Sequence, residues 1–166
     1  SCVMASLNWC GLSGMESLRT HTPLAIHGHR NGFGALSRHP LLGIGFDAYQ
    51  TLYRLAGVDH MHVHGIGGKF VDAADATGAD ANRDDRVMPA FSSGQWAGTL
   101  PRTFEAVGSS DFLFMAGGGI LAHPAGPAAG VQSLRQAWDA VAGEQPLSAW
   151  ARKAPELGAA LDFFGK

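Results

Sequence analysis

Short apolar runs ending in turn residues alternate along the chain with stretches of helical spacing. Residues 2–7 read as a first strand. Ser13-x-x-Glu16 has the form of a capping box, in which a hydroxyl and a carboxylate satisfy the first free amides of a helix, and it predicts a short helix to about Arg19. Residues 24–28 read as a second strand that ends in His29, Arg30 and Asn31, followed by a long loop through Gly32-Phe33-Gly34 and Arg38-His39-Pro40. A helix is predicted from about Phe46 to Ala56, with Phe46, Tyr49, Leu52, Tyr53 and Ala56 on one stripe and Gly57 as its stop. In the third strand, His60 to His64, alternation puts His60, His62 and His64 on one face and Met61 and Val63 on the other. The stretch 72–86 is polar, small and weakly patterned, and reads as loop or frayed helix.

Val87 to Phe91 is the fourth strand and ends in Ser92-Ser93-Gly94-Gln95; Pro101 suits a helix first turn. Asp111 to Met115 is the fifth strand and ends in Ala116-Gly117-Gly118-Gly119. From Pro127 a helix runs to about Ala142, with Val131, Leu134, Trp138 and Val141 spaced for one buried stripe and Gly143 as its stop. Two short helices finish the chain. Strands alternating with helices predict an α/β fold with a parallel sheet. Strand after strand ends in residues that do chemistry or let a ligand approach, which is the habit of a (β/α) barrel rather than of an open doubly wound sheet with one switch point. The expected fold is the C-terminal part of a TIM (β/α)8 barrel, with about five parallel strands and intervening helices in one incomplete domain over residues 1–166. The chain also opens directly on an apolar strand, so the front units of the barrel are expected to be missing.

Composition narrows the function classes. A formal net charge of -2 gives no basic footprint for nucleic acid. No apolar run is long enough for a transmembrane helix, and no charged segment precedes an apolar one as in a secretion signal. Cys2 and Cys10 are too few for a disulfide framework; they read as reduced, buried thiols of a cytoplasmic protein.

The chemistry gathers at the strand ends. Gly65, Gly67 and Gly68 free the backbone after the histidine strand, and Lys69 puts a mobile cation there. Ser92-Ser93-Gly94 and Gly117-Gly118-Gly119 follow the last two strands, where barrels bind phosphate and where glycine lets backbone amides approach an anion. Arg30 can bind a phosphate or carboxylate through two donors, and His29 can move a proton near neutral pH; a surface salt bridge is the plainer reading of Arg30. The His-x-His pairs leave a rival open, a zinc-dependent barrel hydrolase using His27, His29 and His62. Asp84-Asp85 reads as solvent-exposed, His123 as a residue that holds the glycine turn in shape, and Trp96, Trp138 and Trp150 as core or interface aromatics.

Taken together, four segments resemble the large chain of RuBisCO and, more closely, the RuBisCO-like proteins that share its barrel. They are His27-Gly-His29-Arg30, Asp59-His60-Met-His62 leading to Gly68-Lys69, Pro89-Ala-Phe-Ser92-Ser-Gly94, and Gly117-Gly118-Gly119-Ile-Leu-Ala-His123-Pro124-x-Gly126. The resemblance spans almost the whole chain and implies a barrel from about its fourth strand to its eighth. It implies that Arg30 and His62 contact a substrate phosphate, that His29 lies near the reacting carbons, and that Ser92, Gly94, Gly117 and Gly118 hold phosphate oxygens. Lys69 matches the mobile-loop lysine that stabilises the carboxylated intermediate of true RuBisCO. The implied chemistry is proton removal beside a carbonyl with Mg²⁺ stabilising the enediolate, and in the RuBisCO-like branch enolisation, isomerisation or decarboxylation of a phosphorylated sugar or sugar acid. The family's Mg²⁺-binding Lys-x-Asp-Glu pattern does not occur here, and a partner subunit of a homodimer completes the family's sites. The chain alone is therefore expected to have little or no activity, and a non-catalytic anion-binding remnant is a further alternative. Ser93 where RuBisCO has glycine, and Phe33 in place of a family histidine, favour a RuBisCO-like protein over a carboxylase.

Overall fold

The computed structural model describes residues 1–37, 39, 41–66 and 87–165. Lys69, Gly67, Gly68, Asp84-Asp85 and the expected loop or frayed helix over 72–86 lie outside the described residues. Five strands, β1 (Cys2–Ser6), β2 (Ala25–His29), β3 (His60–His64), β4 (Met88–Ser92) and β5 (Leu113–Phe114), form one sheet in sequence order. Val3 pairs with Ile26 and Ser6 with His29 in a parallel ladder, and β2 continues in parallel register with His27 opposite His60. The links from Met88 N to the Asp59 carbonyl (3.0 Å) and from Gly65 N to the Ser92 carbonyl (2.6 Å) advance together along both chains, so β4 runs the same way. Parallel neighbours require crossovers, and the helices supply them.

The described residues divide into two compact units, 1–63 with 87–90 and 64–66 with 91–165. In the first, helices α1 (Leu7–His21), α2 (Gly34–Ser37) and α3 (Phe46–Leu55) accompany β1 to β3. The helix expected to open at Ser13 begins at Leu7 instead and kinks at Gly11, whose φ of 66° is open to glycine at little cost. The long loop after β2 holds the single turn of α2. Leu7, Met15, Ile26, Val58, Met61 and Val63 are fully buried or nearly so. Gly28 faces Leu7 and Val58, where a Cβ would lie 2.9–3.0 Å from their methyl groups, so helix and strand meet there more closely than alanine allows. Asp59 ties the layers together: its carboxylate accepts from Arg19 (2.9 Å) and from the backbone amide of Ile26 (2.7 Å).

The second unit centres on α6 (Pro127–Ala142), packed against α5 (Gly117–Leu121) and α8 (Pro155–Phe164), with α4 (Leu100–Val107) and α7 (Leu147–Trp150) alongside. Pro101 lies in the first turn of α4, as its fixed φ suits. The buried face of α6 is Gly130, Ser133, Ala137 and Ala140, not the expected stripe; Val131 is 41% and Trp138 36% exposed. Interhelical distance decides this: a Cβ on Gly130 would lie 2.5 Å from the Ile120 carbonyl oxygen, so the large residues are displaced to the flank. Trp138 there meets Phe104 and Phe112, with ring centroids 6.5 and 5.7 Å away. Pro155 opens α8, and its carbonyls and amides are held by side chains of earlier elements. His123, 4% exposed, donates Nε2–H to the Glu156 carbonyl (3.0 Å) and accepts the Ala125 amide at Nδ1 (3.1 Å), so its ring bonds tie its own turn to α8 and not to the glycines 117–119. Gln136 accepts from the Leu157 amide (2.9 Å).

Two further expectations are corrected. Cys2 and Cys10 are exposed, not buried, because each lies on the outward side of its element. The fifth strand is only two residues long, and its glycine-rich end coils at once into α5. Among the described residues no helix is long and apolar enough to cross a membrane.

Candidate active site

The alternation of β3 places its histidines as expected, with Met61 and Val63 buried behind a half-buried face of His60, His62 and His64. Because β2 pairs in parallel with His27 opposite His60, the imidazoles of the two strands share one face of the sheet. His27 Nε2 lies 2.9 Å from His62 Nδ1, with the two rings edge to face at 5.2 Å. The His29 ring centroid is 4.5 Å from that of His62, and His27 is 5.9 Å from His60. His29 Nδ1 accepts the backbone amide of Asn31 (3.1 Å), which leaves the hydrogen of the neutral ring on Nε2.

Arg30 is 7% exposed and is no surface residue. Its guanidinium carbon stands 4.2 Å from the centre of the Phe46 ring and 5.1 Å from that of Phe33, so a cation rests on an aromatic floor. Phe33, Phe46, Tyr49 and Tyr53 continue that floor ring against ring. Tyr49 donates its hydroxyl to Asn8 Oδ1 (2.8 Å) and Tyr53 to the Leu7 carbonyl (2.9 Å), and burial pushes both phenols above their ordinary pKa.

His27 is 2% exposed. Burial, then the neighbouring His60 and His29, hold its pKa below the ordinary 6.5. The folded protein thus keeps His27 neutral where the unfolded chain has begun to protonate it. Its contribution to stability is complete above pH 6.5 and is lost as pH falls through the depressed folded value. The denaturation midpoint is expected to drop as pH is lowered from about 7 to about 5, and less steeply in His27→Gln, as measured by urea unfolding at each pH.

In the second unit, Ser92 is buried at the end of β4 and the chain then turns through Ser93 (φ 68°) and Gly94 (φ 71°). Gln95, 2% exposed, pins this turn by donating to the Ser93 carbonyl (3.1 Å) and accepting from the Thr99 hydroxyl (3.0 Å). A left-handed φ is costly for serine and free for glycine, so Ser93→Gly is expected to raise stability by about 1 kcal/mol, read as a higher melting temperature. Gly117 and Gly118 open α5 on the surface with no protein atom within 4 Å of where a Cβ would sit, whereas a Cβ on Gly119 would lie 2.6 Å from that of Trp96. Packing explains the third glycine. It does not explain the first two, which leave bare backbone facing open space.

His29 and His62 thus lie ring against ring in the first unit, with Arg30 next to His29 along the chain, and Ser92, Gly94, Gly117 and Gly118 lie at the ends of β4 and β5 in the second. Sequence reasoning missed the Phe46 floor beneath Arg30, the Gln95 pin, and the part of His27 as partner to His62. Among the described residues no group of three or more His, Cys, Asp or Glu side chains is placed to hold a metal ion. The zinc reading of His27, His29 and His62 therefore finds no support among the described residues. The described acidic group nearest the cluster in sequence, Asp59, is committed to Arg19 and to the Ile26 amide, so these residues do not fit a Mg²⁺ site either.

Residues 1–85 and 79–164 match the family model of the ribulose bisphosphate carboxylase large chain, catalytic domain. A rubisco-like protein from Burkholderia fungorum, solved by crystallography, is 62% identical and superposes with a TM-score of 0.88 over 98% of this chain and 43% of its own. An uncharacterized ribulose bisphosphate carboxylase-like protein of Bordetella bronchiseptica is 46% identical over 97% of this chain and 41% of its own length. The 3-oxo-isoapionate-4-phosphate transcarboxylase/hydrolase of Xanthobacter autotrophicus is 44% identical over 99% of this chain and 42% of its own length. The chain therefore spans 41–43% of the length of these relatives, in the part that carries the C-terminal portion of the barrel.

Proposed function

Since this chain belongs to the ribulose bisphosphate carboxylase large-chain family, we propose that it carries the phosphate-binding and proton-handling part of a RuBisCO-like enzyme that forms an enolate from a phosphorylated sugar or sugar acid. The observation that carries the reading is a pair of strand-end groups of opposite use, a buried Arg30 and a half-buried His29. The Arg30 cation lies on the Phe46 ring, and the His29 ring has its hydrogen directed to Nε2 by the Asn31 amide. The bare glycines 117 and 118 add a surface on which phosphate oxygens can meet backbone amides.

In this reading Arg30 and His62 take one phosphate, with charge and donors fixed before the substrate arrives. Ser92, Gly94, Gly117 and Gly118 hold phosphate oxygens. A phosphorylated 3-oxo acid, the substrate class in the name of the Xanthobacter relative, suits such a site chemically. When the bond to its carboxylate carbon breaks, the electron pair moves onto the ketone oxygen, and donors aimed at that oxygen lower the barrier. His29 Nε2–H is one such donor, and Lys69, carried over from the family resemblance, is the second; the carbon takes its proton from solvent as the enolate collapses. Mg²⁺ is the family's charge-stabilising ion. No step here runs through it, because the described residues offer it no site. The parent protein is proposed to be a homodimer and cytoplasmic, where the exposed Cys2 and Cys10 stay reduced.

The test is a titration of the chain with inorganic phosphate and with a phosphorylated 3-oxo acid, following the histidine ring signals by NMR, with carbon dioxide release measured in parallel. Phosphate-dependent shifts of His62 and His29 with little turnover by this chain alone are the expected result. Signals that ignore both ligands would remove the reading.

A further inference from the structure

We infer that His27 is a positioning residue: it donates Nε2–H to His62 Nδ1 and so holds the His62 ring in the tautomer whose hydrogen is on Nε2, the form that donates to an anionic oxygen. The role of that donor rests on the phosphate reading of His62 above; the tautomer itself does not.

The two nitrogens are 2.9 Å apart, and the rings meet edge to face at 80°, which aims a ring N–H at a lone pair instead of stacking two faces. His27 sits mid-strand, 2% exposed, directly opposite His60 in the parallel ladder, so it reaches His62 across the diagonal of the pleat. That placement leaves it little freedom to do anything else.

Two neutral imidazoles joined in this way share one hydrogen, and it can lie on either side. If His27 donates, both rings are Nε2–H forms. If His62 donates, both must be Nδ1–H forms, the tautomer that free imidazole side chains adopt less readily. The neighbouring His29 is already fixed as an Nε2–H ring by the Asn31 amide. Burial keeps His27 from taking a second proton, so it carries one ring hydrogen, and donating that hydrogen to His62 commits it to Nε2. A histidine whose own partner is chosen by a buried neighbour is a recurring device for orienting a ring that meets a ligand.

The measurement is nitrogen NMR of the full chain labelled in histidine, without ligand, at a pH above the ordinary histidine value, with His62 signals assigned by their loss in His62→Gln. The expected result is an unprotonated Nδ1 and a protonated Nε2 on His62. His27→Leu is expected to shift His62 to a mixture of tautomers, and His27→Gln, whose amide N–H can reach the same nitrogen, to restore the single form. Finding the His62 hydrogen on Nδ1, or finding His27→Leu without effect on it, overturns the inference. If His27→Leu fails to fold, the wild-type and His27→Gln spectra decide it alone. Inorganic phosphate is then titrated into each protein. Binding weakened about 10-fold in His27→Leu and recovered in His27→Gln is the expected consequence. Wild-type protein that ignores phosphate sinks the phosphate reading of His62, while the ligand-free tautomer still upholds or overturns the part given to His27.

Discussion

Replacing Arg30 by alanine is expected to weaken phosphate binding by about 10- to 100-fold, the size of one charge-assisted contact of about 1.5–3 kcal/mol. The guanidinium is 7% exposed and already seated 4.2 Å above Phe46, so little ordering cost falls on the binding step. The same seating predicts that Arg30→Lys does not rescue. An ammonium on a flexible stem neither stacks flat on a ring nor offers two parallel donors. Loss of the ring contact also predicts a fall in stability of about 1–2 kcal/mol in Arg30→Ala. Phosphate titration calorimetry beside thermal unfolding separates the two effects. An Arg30→Ala protein that binds phosphate within about twofold of the original would strip Arg30 of its binding role.

The second large effect is expected at Gly65. A side chain there has nowhere to go: its Cβ would run into the Gln95 side-chain amide and stand 2.7 Å from the Ser92 carbonyl oxygen, the same oxygen that accepts the Gly65 amide. The obstruction is partly backbone, so a rotamer change cannot relieve it. Gly65→Ala is expected to cost about 2–4 kcal/mol, in the range of an overpacked core site with a broken buried hydrogen bond. Gln95 is also the pin of the Ser93–Gly94 turn, through its 3.1 Å bond to the Ser93 carbonyl. The loss of stability should therefore come with faster amide hydrogen exchange at residues 92–95, not with uniform loosening. Exchange unchanged in that turn would mean that Gly65 does not support it.

Much of this architecture was written in local pattern. The His60–His64 strand, the Phe46 helix and the start and stop of the Pro127 helix follow from period, proline and glycine, which act within a few residues of themselves. The motifs at His29–Arg30, Ser92–Gly94 and Gly117–Gly119 were legible because a chemically loaded residue at the end of an apolar run has few other uses. Less was legible wherever two elements had to meet. The apolar spacing of α6 pointed to Val131 and Trp138, yet Gly130, Ser133, Ala137 and Ala140 face inward, because α5 approaches too closely for anything larger. Cys2 and Cys10 belong to a residue type usually buried, and both are exposed.

The sequence by itself determined which residues share a strand face, where the chain turns, and which family the chain belongs to, since all three depend on neighbours along the chain or on motif order. Only the tertiary structure decided that Arg30 lies on Phe46, that His27 faces His62, and that Gln95 underpins the Ser93 turn. Those contacts join residues across strand register and helix packing. Register and packing distance are set by the whole set of side chains that must fit together, and no single stretch of sequence carries them.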